Sequence, residues 1–184
     1  MPKKITIPSC PEQYDEEHNI FLPATKAQTI VLEHSLVSIS KWEAKWHKPY
    51  LGKEPQSMEE FIDYVRCMTL TQNVDPNVYN ALVSAPKLIH EISAYINDSM
   101  TATTISKDGH KSNREIITSE IIYYWMIYYG IPFECQKWHL SRLLMLINVC
   151  NIKNAPQKKM SQREIMASNR AINAARRKKY NTRG

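Results

Sequence analysis

The chain of 184 residues contains only 4 glycines. That scarcity disfavours a turn-rich all-β sandwich or barrel. Its four cysteines, Cys10, Cys67, Cys135 and Cys150, form no CxxC pair. A chain of this size buries a core without disulfides or metals. Reduced thiols in a cytosolic compartment are therefore expected. There is no Gly-rich phosphate loop, no GxSxG and no HExxH. The opening MPKKITIPSC has no apolar stretch of signal-peptide length. The most apolar window, Ile116 to Ile131, is broken by Thr118, Ser119 and Glu120, and is shorter than the ~20 residues a spanning helix needs. A soluble, non-secreted protein with no membrane contact is expected.

Charge is present but unevenly placed. From Lys153 onward lie ten of the 24 Lys and Arg residues and only one of the 18 acids, Glu164. Residues 1–152 therefore carry 14 bases and 17 acids. The basic character belongs to an appendage on a mildly acidic body.

The patterning places a small β-element over residues 1–32. Ile5-Thr6-Ile7, Ile20-Phe21-Leu22 and Gln28-Thr29-Ile30-Val31-Leu32 read as short strands, and Cys10 to Glu17 as a loop. Helical periodicity then takes over from residues 33 to 154. Leu32, Leu36, Ile39, Trp42 and Trp46 make one stripe, stopped by Lys48-Pro49. Ser57-Met58-Glu59-Glu60 is a capping box. Asp75-Pro76 and Ala85-Pro86 start two further helices. Asn97 to Asn113, with Asp108-Gly109, reads as an exposed loop.

Ile116 to Tyr129 is apolar on nearly every side and predicts a helix buried all round. Gly130 stops it, and Pro132 starts a long amphipathic helix to Asn154, giving an antiparallel helical hairpin. Residues 155–184 read as a linker around Pro156 and a basic helical arm that begins at the Ser161-x-x-Glu164 box. The fold class is thus mainly α (α+β): a small N-terminal β-element, a compact helical domain and a basic C-terminal helical arm.

PFECQKWH supplies the best case for chemistry. Cys135 and His139, spaced i, i+4, suit two metal ligands on one helix. Zinc needs three or four, and His18, His34, His47, His90 and His110 show no paired spacing. A Cys-His nucleophile pair lacks a third orienting group in sequence. Glu59, Glu60 and Asp63 sit where helix capping and the macrodipole account for them. No catalysis, metal or cofactor is expected. Trp42, Trp46, Tyr50 and Trp138 are candidate partner-binding anchors, because aromatics concentrate interface energy; the competing reading of each is core packing. Arg163, Arg170, Arg176, Arg177, Lys178, Lys179 and Arg183 make up the basic arm.

LEHSLVSISKWEAKWHKPYL, REIITSEIIYYWMIYYGIPFECQKWHLSRLLMLINVCNIKN and the basic ending MSQREIMASNRAINAARRKKYNTRG resemble the tail assembly chaperones of tailed phages and prophages. The resemblance implies a non-enzymatic protein of the host cytoplasm. It would hold the long helical tape-measure protein soluble while the tail tube forms. It also implies contact with other tail proteins or a homo-oligomer, and in many family members a second, longer frameshifted product. Two rival readings remain: a virion structural protein of the tail, neck or baseplate, and a nucleic-acid-binding module using the basic arm.

Overall fold

The computed structural model describes residues 2–15, 20–52, 56–104, 116–155 and 162–181. Asp108-Gly109, the Pro156 linker, Ser161 and Arg183 lie outside the described residues. The two compact units are Met1–Cys150 and Asn151–Gly184.

The first unit begins with β1 (Lys3–Ile7), β2 (Gln13–Asp15), β3 (Ile20–Leu22) and β4 (Gln28–Leu32). β1 pairs antiparallel with β4, and β2 with β3. Lys3–Leu32, Ile7–Gln28, Cys10–Thr25 and Asp15–Ile20 all keep one register. The four strands are thus one two-stranded ribbon, interrupted where Pro8, Pro11 and Pro23 supply no amide hydrogen. The segment expected as a loop therefore contains β2. Strand alternation sets the ribbon's faces. Ile5, Ile7, Ile30 and Leu32 are buried, and Thr6 meets Thr29 at 3.0 Å on the outer face. Because these four residues share the helices' core, the β-element belongs to the body rather than beside it.

The free edge of β4 organises the segments packed beside it. Leu70 N–H donates to Val31 O at 2.8 Å and Glu33 N–H to Met68 O at 2.9 Å. One step later Leu140 N–H donates to His34 O at 2.9 Å, and Ser35 bridges His139. α1 (Leu36–Trp46) starts on Ser35, whose hydroxyl accepts from Ser38 N–H while Ser38 answers to Ser35 N–H. Leu32, expected in this helix's stripe, is instead the last residue of β4.

α2 (Met58–Met68) carries the Ser57–Glu60 box as expected. Asp75 caps a 3-10 helix, Pro76–Leu82, and α3 spans Pro86–Ile96. α1 packs on α2 and on α4 (Ser119–Tyr128).

Two expectations for the last helices of the body are corrected. Gly130 stops α4 with φ 64°, a left-handed turn that favours glycine. The next segment, however, is not one helix from Pro132. It is a 3-10 helix, Phe133–Lys137, followed by α5 (Leu140–Asn154). The break falls at Trp138-His139, where the backbone turns out of the helix to pair with Ser35. α4 is also not buried all round. Ser119, Ile122 and Met126 are buried, whereas Tyr124, Ile127 and Tyr128 are 61%, 65% and 68% exposed.

The second unit is described by α6 (Gln162–Tyr180), whose Ile165, Met166 and Ile172 are exposed. Deleting residues 156–184 is expected to leave cooperative melting intact, with the midpoint moved by less than about 2 °C. Scanning calorimetry checks this; a broad, non-cooperative transition would mean that the arm belongs to the core.

Candidate functional site

Three of the four aromatic anchors expected from sequence lie in one internal cluster. Trp42 is 1% exposed and its indole N–H donates to Glu60 O at 3.0 Å. Trp46 stacks on it at 6.1 Å and donates to Asp63 Oδ2 at 2.9 Å, beside the Lys45–Asp63 ion pair. Tyr50 meets Trp42 edge-on at 5.4 Å and lies 4.0 Å from the Tyr64 ring. These residues fasten α1 to α2. Trp42 in particular is core and not an exposed anchor, because its i, i+3 spacing from Ile39 turns it onto the buried stripe. Trp138 is half-buried under the Arg142 guanidinium, 4.2 Å from its ring centroid.

Beside this cluster lies a group the sequence did not announce. His34 is 3% exposed, and its Nδ1 is 2.6 Å from the Tyr64 hydroxyl, which is 3.3 Å from Ser38 Oγ. The His139 ring is 4.9 Å away, with Nε2 3.0 Å from Tyr95 O. Burial drives the His34 pKa down from 6.5 to about 3, and the nearby His139 adds to the effect. Burial likewise lowers that of His139, against the pull of the Tyr95 carbonyl. Both imidazoles are therefore neutral at pH 7. Burial pushes the Tyr50 and Tyr64 hydroxyls well above their ordinary range. A lone histidine after a strand gives no sequence signal for such a network.

His34 also borders a cavity of 480 Å³ between the β4–α1 junction, the chain after Pro49, the end of α3 and the first turns of α5. The ring partner of His34 is a tyrosine, not a serine or cysteine nucleophile. Cys135 lies in the 3-10 helix and His139 in the break after it, so their i, i+4 spacing no longer implies a shared helical face. No group of three metal-ligating side chains occurs among the described residues.

A different surface stands out on α4. Tyr124 and Tyr128 stack at 6.2 Å with Ile127 beside them, and Phe133 is also exposed. The helix is held in place by a carboxylate from α1. Glu43 accepts from Ser119 N–H at 2.8 Å and from Tyr50 N–H at 2.9 Å. Thr118, at the N-cap of α4, makes no side-chain bond to the amides of the first turn, so Glu43 does the capping from another helix. The signal for this face was in the sequence: a run too apolar for amphipathicity is either wholly buried or partly kept for a partner.

On α6, Arg163, Arg170, Arg176, Arg177, Lys178 and Lys179 are all exposed. Arg163, Arg170 and Arg177 recur every seven residues and form one line. Among the described residues no helix is long and apolar enough to cross a membrane. No protein-family model, no curated protein and no solved structure matches the chain.

Proposed function

We propose that the chain is a non-enzymatic tail assembly chaperone that holds a helical segment of a phage tape-measure protein against the outward face of α4. The observation that carries this reading is the exposed Tyr124–Ile127–Tyr128 ridge on a helix whose opposite side is locked in the core. Residues at i, i+3 and i+4 form a ridge that fits the groove of a second helix. Aromatic residues on a rigid element are efficient anchors, because little side-chain freedom is lost on binding. The resemblance in the LEHSLVSISKWE and REIITSEIIYYWMIYYG blocks supports the tape-measure protein as the partner. The basic α6 supplies charge that speeds encounter with acidic stretches of that partner, an effect weakened by salt.

The test is the combined variant Tyr124→Ser, Ile127→Ser and Tyr128→Ser in pull-downs with tape-measure fragments. Capture should fall at least tenfold, which corresponds to about 1.4 kcal/mol. The melting temperature should stay within about 2 °C of the parent. Undiminished capture would remove α4 from the interface. Mass spectrometry of purified virions separates the chaperone from a structural tail component: a chaperone is depleted, a structural protein is present in fixed stoichiometry.

A further inference from the structure

We propose that α6 binds double-stranded DNA by lying in its major groove, with the Arg163–Arg170–Arg177 line facing the duplex. This activity is separate from the α4 face and needs no protein partner.

Seven-residue spacing sets the three arginines about 10.5 Å apart along the helix axis. Ala167 and Ala174 fill the same line between them. No bulky side chain on that line holds the backbone away from what the arginines reach. Asn173, three residues after Arg170 and four before Arg177, stands beside it. Arg and Asn are the side chains that make paired hydrogen bonds to guanine and adenine edges. The B-form major groove is about 12 Å wide and admits one α-helix. Arg176, Lys178 and Lys179 surround the last turns and are exposed, placed to meet phosphates on both groove walls.

Helix stability does not account for the line. The helix dipole favours cations in the last turn, where Arg177, Lys178 and Lys179 sit. Arg163 lies in the first turn, where a cation is disfavoured, and Arg170 in the middle, where the dipole gives nothing. Glu164 is the helix's one acid, and the residues three and four places on are Ala167 and Ser168. Ion pairing at helical spacing therefore does not account for the line either. An acidic protein surface fits less well. The core of a protein interface is apolar, and the exposed Ile165, Met166 and Ile172 all precede Asn173. The most basic stretch, Arg176 to Lys179, is left with two alanines before it and Tyr180 after it. Single strands need stacking platforms, and Tyr180 is the only aromatic residue of α6. The major groove of an RNA duplex is too narrow to enter. Duplex DNA asks only for cations, and its phosphates supply most of the affinity.

The experiment titrates the full chain into a labelled mixed-sequence duplex of about 20 base pairs, followed by fluorescence anisotropy between about 50 and 200 mM salt. Log affinity against log salt should have a slope near about −4, roughly −0.9 for each phosphate neutralised. Arg163→Gln, Arg170→Gln and Arg177→Gln together should weaken binding at least about tenfold at the low salt and reduce the slope by about 2. Gln is a good helix former, so α6 is kept. Lys4→Gln, Lys26→Gln and Lys87→Gln together remove the same number of charges from exposed positions of the body, and should change affinity by less than about twofold. Absence of salt-dependent DNA binding in the parent overturns the site. Equal losses in the two triple variants assign the affinity to net charge and overturn the helix line. Equal affinity for an RNA duplex contradicts entry into the major groove. Tighter binding of polyglutamate than of DNA at the same salt gives the arm to an acidic protein surface instead.

Discussion

Replacing Glu43 with alanine should destabilise the protein by about 3 kcal/mol. The carboxylate is 8% exposed and accepts two backbone amides, from Ser119 and Tyr50. Ser119 is itself 1% exposed, so truncation leaves its amide without water to replace the lost oxygen. Hydrogen bonds to a charged acceptor are worth about 1.5–3 kcal/mol each, and an orphaned buried donor costs a comparable amount. Glu43→Gln keeps one acceptor oxygen and should lose about half as much. Urea unfolding measures both variants; the midpoint should fall with the slope unchanged. A loss under about 1 kcal/mol for Glu43→Ala would mean that α4 is anchored by its apolar side alone. The position matters for function, because this carboxylate ties the helix bearing the proposed docking ridge to α1.

A second large effect is expected on acidification. The unfolded chain protonates His34 as pH falls through about 6.5, whereas burial beside His139 holds the folded-state pKa near 3. Between those values the unfolded state binds more protons. Stability is therefore full above pH 6.5 and declines as pH drops, by about 1.4 kcal/mol per unit midway through the window. His139, lowered in the same direction, adds to the slope. Glu60 is held below the ordinary carboxylate range by Lys48 and the Ser57 amide. It contributes stability that is lost only at lower pH, as the carboxylate protonates. Burial raises the Glu33 carboxyl, which takes up its proton earlier in the folded state and opposes the histidines. Over about pH 5 to 6.5 the difference between parent and His34→Gln, rather than the raw profile, therefore isolates His34. His34→Gln should flatten the stability profile there by close to one proton, read from urea midpoints at several pH values. An unchanged profile in that variant would contradict the burial-driven neutrality of His34.

Local chemistry made much of the fold legible. Ser57-x-x-Glu60, Asp75-Pro76 and Ala85-Pro86 start elements where those signals stand, because caps act within one turn. β4 was readable from its β-branched run, and Gly130 from its place after α4. Features imposed from a distance were not legible. The break at Trp138-His139 exists because His139 pairs with Ser35 in the extended segment beyond β4, and nothing in QKWHLSR marks it. β2 escaped because Gln13-Tyr14-Asp15 lacks alternation and pairs only along a ribbon whose register is set by β1 and β4. The α1 start was obscured because Ser38, rather than a glutamate, completes the cap.

The candidate surfaces were legible in the same uneven way. Composition located the basic arm, since charge segregation needs no fold to be seen. It left each aromatic anchor open between interface and core, and Trp42 is core. Trp42 and Tyr50 look like interface residues by type, but α1 turns Trp42 toward α2, and the chain after α1 brings Tyr50 against Trp42 and Tyr64. The exposed ridge came instead from the segment that looked most buried. Periodicity cannot tell a helix covered by its own chain from one awaiting another chain.

The central claim is that α4 carries the partner, and site-specific photocrosslinking tests it most directly. A benzophenone side chain placed at Tyr128, and as control at exposed Leu70, is irradiated in cells that co-express the tape-measure protein. A crosslink to the tape-measure protein is expected from position 128 and none from position 70. No crosslink from 128, or equal crosslinking from both positions, would contradict it.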